Sequence, residues 1–256
     1  MFLRYLRVDF QRMIKSPRTI IGILGVALMM FFSLESGLFE KGFGNGDVIF
    51  TYLDATNRSG YVIAYSFCAL PFAAVYPEDW EHKYIRYGVI RGDLKAFVLA
   101  KAAVIYMSAV LTMVAGSMMF LLICRTQVPW VNPENSVSFE LFLAGNYRQL
   151  LENGHIFLYC ILYALHLGLF AGVLANMAAF CSVIVSNTVL TLIFPVLAWR
   201  VLELIYIKGI NLNGIFIVTG KILGADLQNL LLAIAVSVFL SLLSALGCYC
   251  ILKRKM

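Results

Sequence analysis

Charge is what this sequence has least of. Only 13% of its 256 residues are charged, while 61% are hydrophobic and the mean hydropathy is +0.86. An ordinary soluble domain carries about 25% charge, so a soluble globular domain is excluded. No stretch between the apolar runs is long and polar enough to bury a core of its own, which also excludes an enzyme domain with an attached anchor. Paired cysteine spacing is missing as well. Cys68, Cys124, Cys160, Cys181, Cys248 and Cys250 lie in or beside apolar runs, with neither zinc-ligand spacing nor a secreted disulfide framework. They read as small lipid- or helix-facing residues. G-x-S-x-G, H-E-x-x-H and a pair of intramembrane aspartates are absent, which leaves an intramembrane enzyme without a catalytic set.

What is present is apolar length. A spanning helix needs about 20 mostly apolar residues, so six of them would take roughly 120–140 positions. The runs predict an all-α polytopic membrane protein with six transmembrane helices, at 19–39, 59–76, 97–124, 156–181, 184–206 and 229–252. The chain is almost continuously apolar from Ile156 to Tyr206. That is too long for one crossing of a core about 30 Å thick, so a tight turn is expected over 182–187.

Residues 1–18 interleave apolar and charged side chains and lack the basic head and apolar block of a signal peptide. At about 100° per residue, Phe2, Leu3, Leu6, Phe10, Met13 and Ile14 share one face, and Arg4, Arg7, Gln11, Arg12 and Lys15 the other. The expected element is an amphipathic interfacial helix, its basic face toward anionic lipid or a cytoplasmic partner, broken at Ser16-Pro17. The six-helix domain then occupies 19–256.

The net charge of +6 is carried in short clusters between apolar runs, which points to membrane orientation and not to nucleic acid. With the N-terminus inside, 13 of the 20 basic residues fall on the cytoplasmic side, so both termini are expected there. No internal repeat is apparent. The outer connection 207–228 is amphiphilic and punctuated by Gly209, Gly214, Gly220 and Gly224, too short to span, and suggests a re-entrant or interfacial segment.

The densest polar cluster is the cytoplasmic segment 77–96. Pro77 permits a helix start, Glu78, Asp79 and Glu81 suit its positive end, and Lys83 and Arg86 follow toward the other end. Trp80, Tyr84 and Tyr87 among these charges fit a helix that docks into a groove on another protein, and equally a solvated loop. Within the spans, polar residues are few: Glu35, His166, Asn176, and Arg200 with Glu203 spaced as an intrahelical ion pair. His166 and Asn176 suit interhelical hydrogen bonds or a substrate pathway, and Arg200 with Glu203 an interfacial pair or a gate. Small residues recur at every fourth position, at Ala164, Gly168, Gly172 and Asn176 and at Ser108, Thr112 and Gly116, which predicts close helix packing. Pro71 and Pro195 are expected to kink the second and fifth spans.

The order of an apolar span, Glu78 to Glu81, Lys83-Tyr84-Ile85-Arg86, Arg91-Gly92-Asp93, then Phe97 and Lys101 resembles the membrane subunit of ABC-2 type exporters. Glu81 stands for that family's acidic residue, Arg91 for the basic residue of its turn, and Lys101 for the lysine of the next span. Lys83-Tyr84 replaces the common Gly-Thr pair, and the turn proline is absent. At the level of layout the resemblance covers the whole chain. It implies that 77–96 is a coupling segment received by an ATP-binding cassette subunit through Glu78, Asp79, Trp80, Glu81, Lys83, Tyr84, Arg86 and Arg91. It further implies a second contact at 182–187 and a dimer of permease subunits, alike or different. The chain has no G-x-x-x-x-G-K-[ST] loop, so ATP and Mg²⁺ are expected on the separate subunit. The expected function is plasma-membrane export of an apolar or amphipathic substrate such as a peptide, antibiotic or lipid. An ATP-independent secondary transporter or channel is the alternative.

Overall fold

The computed structural model describes residues 1–34, 47–81, 84, 93–131, 145–207, 210–218 and 222–255. Among these, three helices are long and apolar enough to cross a membrane, or four if one bent pair counts as a span. The three are α6 (Leu94–Arg125), α8 (Ile156–Ile184) and α10 (Asp226–Lys255), and the bent pair is α1 (Phe2–Lys15) with α2 (Pro17–Ser33), which turn by 63°. Of the six spans expected, three to four are therefore shown among the described residues.

The second expected span is not one helix. It begins as a 3₁₀ turn over Ser59–Ile63, continues as α4 (Ala64–Ala69), passes through turns at 70–74 and resumes as α5 (Val75–Glu81). Pro71 has no N–H for the Phe67 carbonyl four residues back. That carbonyl sits against Gly22 of α2, where an added Cβ would approach it to 2.9 Å. The fifth expected span is α9 (Thr188–Glu203), 16 residues that keep Pro195 inside the helix. Helix α2, within the first expected span, ends at Ser33, and Glu35 lies outside the described residues.

Local chemistry sets several helix ends. Asp47 caps α3 (Val48–Asn57) by accepting from Phe50 N at 2.7 Å, and Asp93 caps α6 by accepting from Lys95 N at 3.0 Å. Asn187 accepts from Val189 N and Leu190 N at 2.9 and 3.2 Å, which starts α9 just after α8 ends. Lys253, Arg254 and Lys255 occupy the last turn of α10, where cations complement the exposed carbonyls.

Helix α8 is the centre of the bundle, packed against α4, α5, α6, α9 and α10. The small-residue stripes lie at these crossings. A Cβ on Gly172 would come within 2.5 Å of the Tyr106 ring, and one on Gly168 within 3.2 Å of the Val110 carbonyl. Gly116 meets Val26 of α2 in the same way, at 2.6 Å. Helix α10 is peripheral: only 17% of its apolar window is buried within the chain, against 67% for α8.

In the segment 207–228, expected to be re-entrant or interfacial, the described residues form a small cap. Strands β1 (Tyr206–Ile207) and β2 (Ile210–Asn211) pair antiparallel, and a 3₁₀ turn follows over Asn213–Phe216. Phe216 stacks on Phe170 of α8 at 4.9 Å. Asn229 ties the cap down by donating to Asn146 Oδ1 at 2.7 Å and to Leu223 O at 3.0 Å, while its own Oδ1 accepts from Leu223 N. The fold is thus helical apart from one two-residue strand pair among the described residues.

Candidate functional site

The end of the bundle opposite this cap carries α1, α5, the start of α6 and the end of α10. There the scarce charges converge. Lys101 of α6 is 1% exposed, and its Nζ lies 2.6 Å from Asp79 Oδ2 of α5 and 3.5 Å from Asp9 Oδ1 of α1. Arg12 of α1 donates to the other Asp79 oxygen at 2.7 Å and to Glu78 at 3.2 Å, and Arg18 of α2 pairs with Glu78. Three acids and three bases therefore close one network across four helices. The Lys101 ammonium also sits near the Phe97 ring, 4.8 Å from its centroid, and Tyr5 packs edge-on against the same ring at 5.7 Å.

The electrostatics follow from this enclosure. Burial pushes the Asp9 carboxyl above its usual 3.8; Lys101 pulls it back, and Asp79 adds to the rise. Burial alone would lower the Arg12 guanidinium, but the hydrogen bond and charge of Asp79, with Glu78 and Asp9, leave it above its usual value.

The expected docking residues therefore divide. Asp79 is buried and turned inward, and Glu78 is engaged by Arg12 and Arg18, so both join α5 to the rest of the chain. Trp80, Glu81 and Tyr84 are exposed. Lys255 Nζ lies 5.7 Å from the Trp80 ring and donates to Val183 O at 2.7 Å, which brings the end of α10 and the end of α8 to the same surface. Lys83, Arg86 and Arg91 lie outside the described residues.

On α1, Arg4, Arg7 and Lys15 are exposed, whereas Arg12 is taken up by the network. The buried face of this helix is centred on Asp9 and Met13, not on Leu3 and Ile14, which are exposed. Asp9 is the functional candidate that the sequence reading passed over. Its signal was an acid in the arc shared by Leu6, Phe10 and Met13.

His166 and Asn176 are not brought together. The His166 Nε2 is 2.9 Å from the hydroxyl of Tyr147, which precedes α7 (Arg148–Glu152), and its Nδ1 has no partner. Asn176 is buried deeper along α8 with Nδ2 unpaired. Arg200 pairs with Glu203 at 3.0 Å and stacks on Trp199. Among the described residues no group of three His, Cys, Asp or Glu side chains could hold a metal ion. A cavity of about 410 Å³ opens beside Arg200, between α8, α9 and the cap.

No protein-family model matches the chain, and neither a curated protein nor a solved structure does.

Proposed function

We propose that this chain is the membrane subunit of an ABC-2 type exporter. It would move an apolar or amphipathic substrate across the plasma membrane with ATP and Mg²⁺ handled by a separate ATP-binding cassette subunit, and it would work as a dimer of permeases. The observation that carries this reading is the Asp79 network. Helix α5 presents Trp80 and Glu81 outward while Asp79, one residue away, is bound to Lys101 at 2.6 Å and Arg12 at 2.7 Å. A displacement of α5 by a partner is thereby passed to α6 and α1, since separating the charges inside a low-dielectric site is costly. Arg12, Arg18, Lys101 and Lys255 gather at this end of the bundle, and the positive-inside rule supports reading it as the cytoplasmic one.

The test is affinity purification of the full chain from its native membrane, with mass spectrometry for co-purifying chains. A phosphate-loop ATPase is expected with the wild type, and its loss is expected with Trp80→Ala and with Glu81→Lys. If no such ATPase accompanies the wild type, or if both variants retain it, the reading is wrong.

A further inference from the structure

The acids of the charge network are all turned inward. Asp9, Glu78 and Asp79 are engaged by Lys101, Arg12 and Arg18. What α1 leaves outside is therefore basic. Arg4, Arg7 and Lys15 are exposed, and none of them is paired among the described residues. At about 100° per residue the three fall within an arc of about 80°, with Gln11 between them. No acid of α1 shares that arc, since its single acidic residue is Asp9 on the buried face.

Apolar side chains border this basic strip. Leu3 and Ile14, 75% and 59% exposed, lie along one edge, and Val8 along the other. Beyond the bend, α2 exposes Ile20, Ile21, Leu24 and Leu28, so a row that suits acyl chains begins two positions after Arg18. The bend at Ser16-Pro17 thus marks the level at which hydrocarbon gives way to headgroups, and α1 stays near it. Its 14 residues are about 21 Å long, and a turn of 63° leaves about 10 Å of that along the line of α2, comparable with the depth of a headgroup layer. An acidic protein would complement the cations and leave Leu3 and Ile14 without an apolar partner. A membrane surface takes both.

We propose that the outward face of α1 binds the headgroups of anionic phospholipids. Arg4, Arg7 and Lys15 meet the phosphates, and Leu3 and Ile14 enter the acyl boundary beside them. Arg12, which the sequence placed in the same basic group, takes no part because Asp79 and Glu78 hold it. The inference goes beyond the exporter reading and does not depend on it.

The experiment places the photoreactive residue p-benzoylphenylalanine at Gln11 of the full chain, in nanodiscs of equal parts phosphatidylglycerol and phosphatidylcholine with matched acyl chains. The same residue at Leu197, an exposed apolar position of α9, reports the bulk lipid ratio. Lipid adducts are counted by mass spectrometry after irradiation. Adducts at Gln11 are expected to be enriched in phosphatidylglycerol about fivefold over those at Leu197. The enrichment is expected to disappear when Arg4→Gln, Arg7→Gln and Lys15→Gln are combined, three changes that touch no buried group. It is also expected to shrink in about 1 M salt, where the screening length falls to about 3 Å. Equal lipid ratios at the two positions, an enrichment that survives the combined variant or the salt, or lipid adducts at Leu197 but not at Gln11 would each overturn the proposal. So would a protein adduct in place of the lipid one on irradiation in the native membrane, which would give this face to an acidic partner. Absence of an ATPase from the purified chain removes the exporter reading and leaves this result as it stands.

Discussion

Lys101 Nζ lies 2.6 Å from Asp79 Oδ2, with both side chains almost fully enclosed at 1% and 3% exposure. An ammonium so placed is tolerated because carboxylates surround it: Asp79 on one side and Asp9 on the other, over an aromatic floor.

Lys101→Met should therefore destabilise the chain by about 3–5 kcal/mol, because it leaves Asp79 and Asp9 facing each other without their shared cation. Adding Asp79→Leu should cost less than the sum of the two single changes, since the partners act as one unit. Denaturant titration in detergent of the two single variants and the double variant checks the coupling. Strict additivity would show that the contact carries no energy of its own.

Asp9 gives a pH dependence with a definite sign. Its carboxyl is raised above 3.8 in the folded chain by burial, with Lys101, Asp79 and Arg12 as the charges that face it. A raised carboxyl binds more protons folded than unfolded, so its contribution to stability is present below 3.8 and is lost as pH rises through the folded value. Asp9→Asn should remove that fall. Melting curves of the two proteins from pH 3 upward should converge at the acid end and diverge above it, with the variant flatter; parallel curves would contradict the assignment.

Gly116 is expected to be intolerant of even a methyl group. A Cβ there would meet Val26 Cβ at 2.6 Å and the Ile23 carbonyl at 2.9 Å, and a backbone carbonyl cannot rotate away. Gly116→Ala should cost about 1–3 kcal/mol by overpacking the contact of α2 with α6. Gly224→Ala is the control, because nothing lies within 4 Å of its added Cβ. Equal melting temperatures for the two variants would show that the helices separate freely.

Asn229→Ala should loosen the cap without disturbing the opposite end. The change takes one donor from Asn146 and leaves the Leu223 N–H without its acceptor, at a cost of about 1–3 kcal/mol. Limited proteolysis should then cut within residues 205–228 sooner than in the wild type, while Trp80 and Lys255 stay in contact. Unchanged cleavage would show that the apolar contacts of Phe216 alone hold the cap.

Some of this was legible from residue order. The three long helices follow from uninterrupted apolar length, whereas the caps Asp47, Asp93 and Asn187 went unread although each acts within three residues. Gly116, Gly168 and Gly172 were readable as close approaches from their spacing, though not which side chains they admit. The two prolines show where such reading stops. Both interrupt apolar runs, yet Pro195 stays within α9 while the chain at Pro71 leaves the helix and resumes at Val75. The difference lies in what surrounds them, as α2 closes on the free Phe67 carbonyl through Gly22.

The charges divide in the same way. Arg200 with Glu203 was visible as a pair because they stand three positions apart on one helix. Arg12 with Asp79 was not, because they stand 67 positions apart. By itself the sequence determined that this chain carries helices long and apolar enough to cross a membrane, since that depends on local apolar content. Only the tertiary structure decided that Asp79 faces inward while Trp80 faces out, and that the side-chain carbonyl of Asn213 is enclosed and unpaired. In a bundle with so few charges, each buried polar group is defined by whichever distant segment comes to satisfy it, or by none doing so.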